Sequence, residues 1–455
     1  MFAKINFHDE FYQKLKFLVL PITMQQFMLA LVSATDAIML GAVSQTSLSA
    51  VSLAGQIQFV LNLFISGISA GSGIMAAQYW GKQDAASIEE VMPIALRTNL
   101  IFSGAFTVFA AVAPEVLMRI FTSDPALIES GAIYLRAVSL SYLLCGISQI
   151  YLILLKNTGY AAASSRISCT AVIVNIIFNA ILIYGLFGMP ALGIQGAAYA
   201  TVAARLVELV WSYLETKRPG RVQIIWKKMF HAADAVLTKD FWRYTMPVLG
   251  AALVWGIAYV SYSVIMGHMG SDAVAANSIT TIAKNMLSCL IRGVSGGAGV
   301  LIGNLLGAGE LNKAKVYGGR LTRMAIVVGM TTGGRRILLS PLIVRFAPLS
   351  ETAAEYLQYM LIFCGCNIMA QSVNTTVLDG IFCAGGDSKF DMKGNLGAMW
   401  CFSVPFGFFA AFVLKWPVMV VYCIVNLDEI VKIPAVYLHY KKYIWVRNIT
   451  VQEEA

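Results

Sequence analysis

Charge is scarce in this 455-residue chain. Only 13% of residues are charged, while 58% are hydrophobic, which excludes an ordinary soluble enzyme. The eight cysteines are scattered, mostly in apolar runs, and Cys364 and Cys366 lack a second metal-spaced pair. They are expected to be packing residues, not disulfides or metal ligands. The Gly-rich runs Ser69–Gly73 and Ser295–Gly299 lack the following Gly-Lys-Ser/Thr of a nucleotide loop. ATP is therefore not the expected energy source. No cleavable leader is expected before the first apolar run, because Met1–Lys16 is mixed polar. The formal charge of +9 does not point to nucleic acid, since the basic residues lie in short loops between apolar runs.

What is present is a succession of apolar runs, each long enough to cross a bilayer. Twelve spans are expected, near residues 15–41, 50–79, 93–114, 132–155, 164–187, 192–214, 242–268, 275–305, 318–343, 354–381, 394–414 and 417–440. Most lysines and arginines fall in the terminal segments and in alternate loops. By the positive-inside rule that face is cytoplasmic, and both termini lie on it. The ninth span is interrupted by Gly333-Gly334-Arg335-Arg336. Two arginines deep in lipid would be costly, so they lie near an interface or face protein or water.

The chain also repeats itself. Pro21 falls on Pro247, Gly41 on Gly267, Gly67 on Gly293, Gly71 on Gly297, Gly73 on Gly299 and Gly81 on Gly307. Glycine and proline dictate backbone shape, so the match implies matched helix geometry. The expected fold is an all-α integral membrane protein of two six-helix lobes, related by a pseudo-two-fold along the membrane normal. The lobes are placed at 1–216 and 241–455. Residues 217–240 form a cytoplasmic linker, in which Ile224–Phe230 suits a short interfacial helix.

Asp36 breaks the repeat, for Tyr262 stands at its position in the second copy. Asp36 lies within a span and has no basic neighbour on its own helix. Such a carboxylate exchanges protons near neutral pH, or holds sodium among neutral oxygens, or is merely solvated at an interface. Asn175 and Asn179 share one face of the fifth span, where their amides serve a carboxylate, a cation or another helix. In the second half, Lys284 sits mid-span with Arg292 two turns on, and Asp379 lies near a span end. Lys284 either sets a fixed charge facing a cavity, or snorkels or forms a structural ion pair. Asp428 and Lys432, with Glu429 beside them, have the spacing of an intrahelical ion pair. Tyr262 and Met286 belong to a plentiful set of aromatic and Met residues, which suit adaptable walls or plain packing.

Taken in order, several stretches resemble multidrug and toxic compound extrusion (MATE) transporters. They are Asp36-Ala-Ile-Met-Leu-Gly41 with Leu48–Leu53, Gln78–Gly81, Asn304–Gly307, Asn157–Gly159, Ala384–Asp387, Gly193–Thr201 and Trp445–Thr450. The resemblance implies a central cavity and antiport of a proton or sodium against an organic substrate by alternating access. It makes Asp36 the coupling residue, joined by Asn175, Asn179, Tyr134 and Thr201. No metal is implied beyond sodium at Asp36, and no cofactor. Lys284, Gln371, Asn374, Tyr262 and Met286 are candidates for the substrate cavity. The seventh span has no acid, and the tenth has Gln371 and Asn374 in its polar stretch, so a carboxylate-rich C-terminal sodium site is not expected. The damage-inducible-type branch fits better than the vibrio-type sodium exporters. Expected partners are amphipathic, often cationic organic molecules and membrane lipids, with the protein monomeric in a bacterial cytoplasmic membrane. A lipid or lipid-linked oligosaccharide flippase of the same superfamily is the alternative. A membrane sensor or scaffold without transport is a third reading.

Overall fold

A computed structural model describes residues 9–230, 234–347 and 349–451. It is helical, with no strand among the described residues. The helices are α1 (Glu10–Val43), α2 (Gln45–Gly81), α3 (Ala85–Val112), α4 (Pro114–Arg119), α5 (Pro125–Asn157), α6 (Ala161–Tyr184), α7 (Gly193–Thr216), α8 (Ala235–Gly267), α9 (Ser271–Leu287), α10 (Cys289–Gly307), α11 (Leu311–Phe346), α12 (Glu351–Thr375), α13 (Ser388–Asn395), α14 (Val404–Phe408), α15 (Val418–Val425) and α16 (Asp428–Lys441). π-helical turns extend α12 through Thr376–Phe382 and flank α14 at Leu396–Ser403 and Phe409–Val413.

Every one of the twelve expected spans falls on helix. Nine described helices are long and apolar enough to cross a membrane. The expected spans outside those nine lie on α7 and α11, which carry internal charge, and on α15–α16, where the helix is broken. Side chains set several helix starts by accepting from free N–H groups. Ser44 Oγ takes Ser47 N at 3.0 Å, Asp84 Oδ1 takes Ser87 N at 3.0 Å and Asp124 Oδ1 takes Ala126 N at 2.9 Å.

The chain divides into two compact units. One is Phe27–Leu249; the other takes the described residues up to Gln26 and those from Gly250 onward. The divisions fall inside α1 and α8, shortly after the matched prolines Pro21 and Pro247. Unit one packs α2, α3, α6 and α7 around α5. In unit two, α12 packs against α9, α11 and α16.

Two of the matched pairs, Gly67 with Gly293 and Gly71 with Gly297, sit at close helix crossings inside each unit. A Cβ on Gly67 would come 2.8 Å from Leu249 Cα, and one on Gly71 2.6 Å from Thr245 Cα. In unit two, Gly293 lies against Thr23 and Gly297 against Val19. Small residues let helix backbones approach closely, which replaces the hydrophobic drive that lipid removes.

Three expectations change. The last span is not one helix: α15 ends at Val425 and α16 starts at Asp428, with Asn367 Nδ2 donating to the freed Asn426 carbonyl at 2.7 Å. The eighth span divides at Ser288, which places Lys284 in the last turn of α9, where a cation suits unpaired carbonyls. The Ile224–Phe230 segment forms only a short 3₁₀ turn, Trp226–Phe230. It is held by specific contacts, Trp226 Nε1 donating to Tyr151 Oη at 2.6 Å and Lys228 pairing with Glu90 at 2.5 Å.

The two arginines of the ninth span separate. Arg336 is buried and turns toward the carbonyls of Cys364 and Ala283, while Arg335 is exposed.

At the start of α1, Asp9 accepts from Phe11 N at 3.0 Å and pairs with Arg320 at 2.6 Å. The backbone bond first, then Arg320, holds its carboxyl below the usual range. A depressed carboxylate stabilises the fold above its unfolded pKa, and that contribution fades as pH falls through the folded value. Asp9→Ala should therefore lower thermal stability slightly at pH 7. The difference from the parent should shrink in a melt at acid pH.

Candidate functional site

Unit one holds a polar chain in an apolar setting. Asp36 lies late in α1, half-buried. Asn179 Nδ2 on α6 donates to Asp36 Oδ1 at 2.5 Å and to Asn175 Oδ1 at 3.2 Å. Asn175 Nδ2 in turn donates to Thr201 Oγ1 on α7 at 3.4 Å, and that hydroxyl donates to Ala197 O at 3.0 Å. Asn179 is 1% exposed and Asn175 5%. Buried amides need partners, and the i, i+4 spacing lets one helical face pass the bonds along. Tyr184 Oη donates to Met39 O at 3.1 Å, a second tie between α6 and α1.

The surroundings are apolar: Leu40, Ile57, Leu61, Leu135, Ile183 and Ala197 share one buried cluster. Tyr134 on α5 is buried in that same cluster. Asn179 Oδ1 is buried with no hydrogen-bond partner among the described residues. The structure thus joins Asp36, Asn179, Asn175 and Thr201 by hydrogen bonds and places Tyr134 in the adjoining core.

Unit two carries the other candidates. Asn374 is buried and donates from Nδ2 to Glu429 O at 2.6 Å and to Glu429 Oε2 at 2.8 Å. Lys284, Gln371, Tyr262 and Met286 are half-buried. Tyr262 packs on the cluster of Ile265 and Val421. No hydrogen bond joins these five among the described residues. Asp379 lies in the π-helical turn that extends α12.

Sequence reasoning read one polar group in part and missed another. Lys432 lies 3.3 Å from Asp428 Oδ2, as its i, i+4 spacing suggested. It is also 3.3 Å from Glu429 Oε1 and donates to Asn395 Oδ1 at 3.1 Å. Asn395 then donates to Asp391 Oδ1 at 3.0 Å. Unit two therefore gathers its carboxylates from α13 and α16, not from the seventh span. In unit one, buried Glu208 on α7 accepts from Ser148 Oγ at 3.0 Å, Ser168 Oγ at 3.3 Å and Arg205 Nη1 at 2.8 Å. The signal available for it was an acid and a base three apart inside a span.

The family model MatE matches residues 21–181 and again 247–409. The chain belongs to the MatE family. Its two matches coincide with the internal repeat and include Asp36, Asn175 and Asn179. The MatE family is one of membrane transporters, not enzymes. Among curated relatives of this MatE chain, an uncharacterized transporter, YisQ of Bacillus subtilis, is 22% identical over 94% of both chains. The probable multidrug resistance protein NorM of Agrobacterium fabrum is 24% identical, covering 76% of this chain and 73% of its own. The multidrug resistance protein MdtK of Yersinia pseudotuberculosis is 23% identical over 86% of each. A crystal structure of MATE in complex with MaL6 superposes with a TM-score of 0.86 at 18% identity, covering 95% of this chain and 96% of that one. A MOP superfamily transporter from Pyrococcus furiosus gives 0.86 at 18% identity, over 95% of each. The fold is thus the all-α, twelve-helix, two-lobed MATE fold.

Proposed function

We propose that this MatE chain is a secondary active exporter of amphipathic organic molecules, working by alternating access and driven by protons. The observation that carries this reading is the Asn179–Asp36 hydrogen bond, which ties an ionisable group on α1 to a buried amide on α6. The relatives NorM and MdtK are named multidrug resistance proteins, which supports organic drugs as the substrate class.

The favoured ion is the proton because of what faces the carboxylate. Asn179 turns its N–H, not its oxygen, to the Asp36 carboxylate in this arrangement, which suits a group that gains and loses a proton. When Asp36 takes a proton it becomes a donor and needs an acceptor. Asn179 Oδ1, buried and without a partner among the described residues, becomes that acceptor if the amide turns over. Loading then reverses the bond at the α1–α6 junction and releases the Asn179 N–H from Asn175 Oδ1. Coupling follows if the substrate binds the two arrangements differently. The lysines and arginines of the terminal segments and alternate loops support cytoplasmic termini in a bacterial inner membrane.

Proteoliposomes loaded with a fluorescent cationic dye test the reading. Efflux should accelerate under an inwardly directed proton gradient and stay at its basal rate under a sodium gradient. Acceleration by sodium alone would overturn proton coupling. Transbilayer movement of a labelled lipid without dye efflux would establish the flippase instead.

A further inference from the structure

The break in the last span and the polar group beside it belong to one arrangement. Asp428 and Glu429 open α16, where the helix N-terminus favours anions. Interrupted helices in transporters commonly mark ion or substrate sites, because irregular backbone at membrane depth persists only where protein or water satisfies it. Here Asn367 satisfies the Asn426 carbonyl.

The side chains form a cage of oxygens around a single ammonium. Lys432 is 4% exposed at its side chain, Asp428 7% and Glu429 14%. An ammonium has three donors. Lys432 Nζ has three oxygens within 3.3 Å, from Asp428, Glu429 and Asn395. Two further contacts orient the cage. Asn395 gives its N–H to Asp391, which turns its oxygen to Lys432. Asn374 gives its N–H to Glu429 Oε2, which leaves Oε1 for Lys432. Asn374 Oδ1, beside that carboxylate, is buried with no partner among the described residues. It is a further oxygen that the ammonium does not use. Oxygens from α16 and α13 surround one positive charge, with a spare oxygen on α12 beside them, and oxygen ligands are what a hard monovalent cation takes.

We propose that Lys432 is a tethered cation occupying a built cation site in unit two, and that removing its ammonium makes the site bind sodium. Asp428, Glu429 and Asp391 outnumber Lys432 even with Lys284, which acts on Asp428 and Glu429 from beyond ion-pair distance; an unpaired buried charge is costly, so the emptied cage takes a small cation. On this account unit two holds a fixed charge in the wild type, and exchangeable coupling is left to unit one.

The test uses purified full-length protein and does not depend on export. Thermal unfolding is followed by tryptophan fluorescence while sodium chloride replaces N-methylglucamine chloride at constant ionic strength. Lys432→Met should gain a saturable rise in Tm of about 3–6 °C with sodium. Adding Asp428→Asn and Glu429→Gln to Lys432→Met should remove it. In the wild-type background, Asp428→Asn should leave any sodium response unchanged. Should Lys432→Met not accumulate, the better charge-balanced Lys432→Met/Asp428→Asn keeps Glu429, Asn395 and Asn374 as ligands and should show the same gain. Absence of a sodium response in a folded Lys432→Met or double variant overturns the proposal. So does stabilisation by lowered pH alone, or a wild-type sodium response lost in Asp428→Asn.

Discussion

Asp36→Asn should abolish gradient-driven efflux while leaving the protein folded and in the membrane. The substitution preserves volume and keeps a polar group opposite Asn179. It removes the one property that coupling needs, a group that alternates between acceptor and donor as a proton comes and goes. Coupling free energies between two ligands of one protein run about 1–3 kcal/mol, or roughly 5–150-fold. The ratio of efflux with a proton gradient to efflux without one should fall by that order, to unity. Basal dye exchange should persist, because the mutation removes the driving ion and not the pathway. Asn179→Leu should resemble it, since the carboxylate then loses its hydrogen-bond partner at 2.5 Å. Gradient-driven efflux retained by Asp36→Asn would move the coupling site elsewhere. The measurement is a pair of vesicle assays on the same preparations, with expression and unfolding midpoint recorded alongside.

Gly71→Val should be among the most destabilising single substitutions in unit one. Even the first added atom, Cβ, would come 2.5 Å from Thr245 Oγ1 and 2.6 Å from Thr245 Cα. Side chains can turn aside, but a helix backbone must move as a body. Overpacking of this kind costs about 1–3 kcal/mol or more. The repeat supplies an internal comparison. At Gly297 the added Cβ meets a side-chain atom, Val19 Cγ2, at 2.9 Å. Gly297→Ala should therefore be milder than Gly71→Ala. Gly334 on α11 has open space around it, and Gly334→Ala should raise stability by about 0.5–1 kcal/mol through helix propensity. Unfolding midpoints of the four variants check the order.

Asp36, Asn175 and Asn179 stood out because their neighbours are apolar and their spacing is helical. The repeat pointed to matched helix geometry because glycine and proline constrain backbone shape most strongly. The Lys432 cage was legible only in part. Asp428, Glu429 and Lys432 are near in sequence, but Asn395 and Asn374 arrive from α13 and α12, and no spacing rule joins them. The break after Val425 was equally hidden, for Asn426 and Leu427 interrupt an apolar run without a glycine or proline. The Glu208 group needed Ser148 and Ser168, two ordinary hydroxyls on other helices. Long-range polar contacts in a membrane protein depend on which helix faces meet, and hydropathy does not report that.

The division of α1 and α8 between the two units bears on how the protein is made. The first described turns, from Asp9 to Gln26, belong with residues beyond Gly250, including Arg320 and Gly297. A ribosome translates those residues long after the first turns have emerged. The first turns therefore lack their packing partners until most of the message has been read. Unit one likewise closes only when Thr245 and Leu249 arrive. Assembly is thus late and concerted, and a chain released at its midpoint offers quality control two incomplete surfaces instead of one finished half.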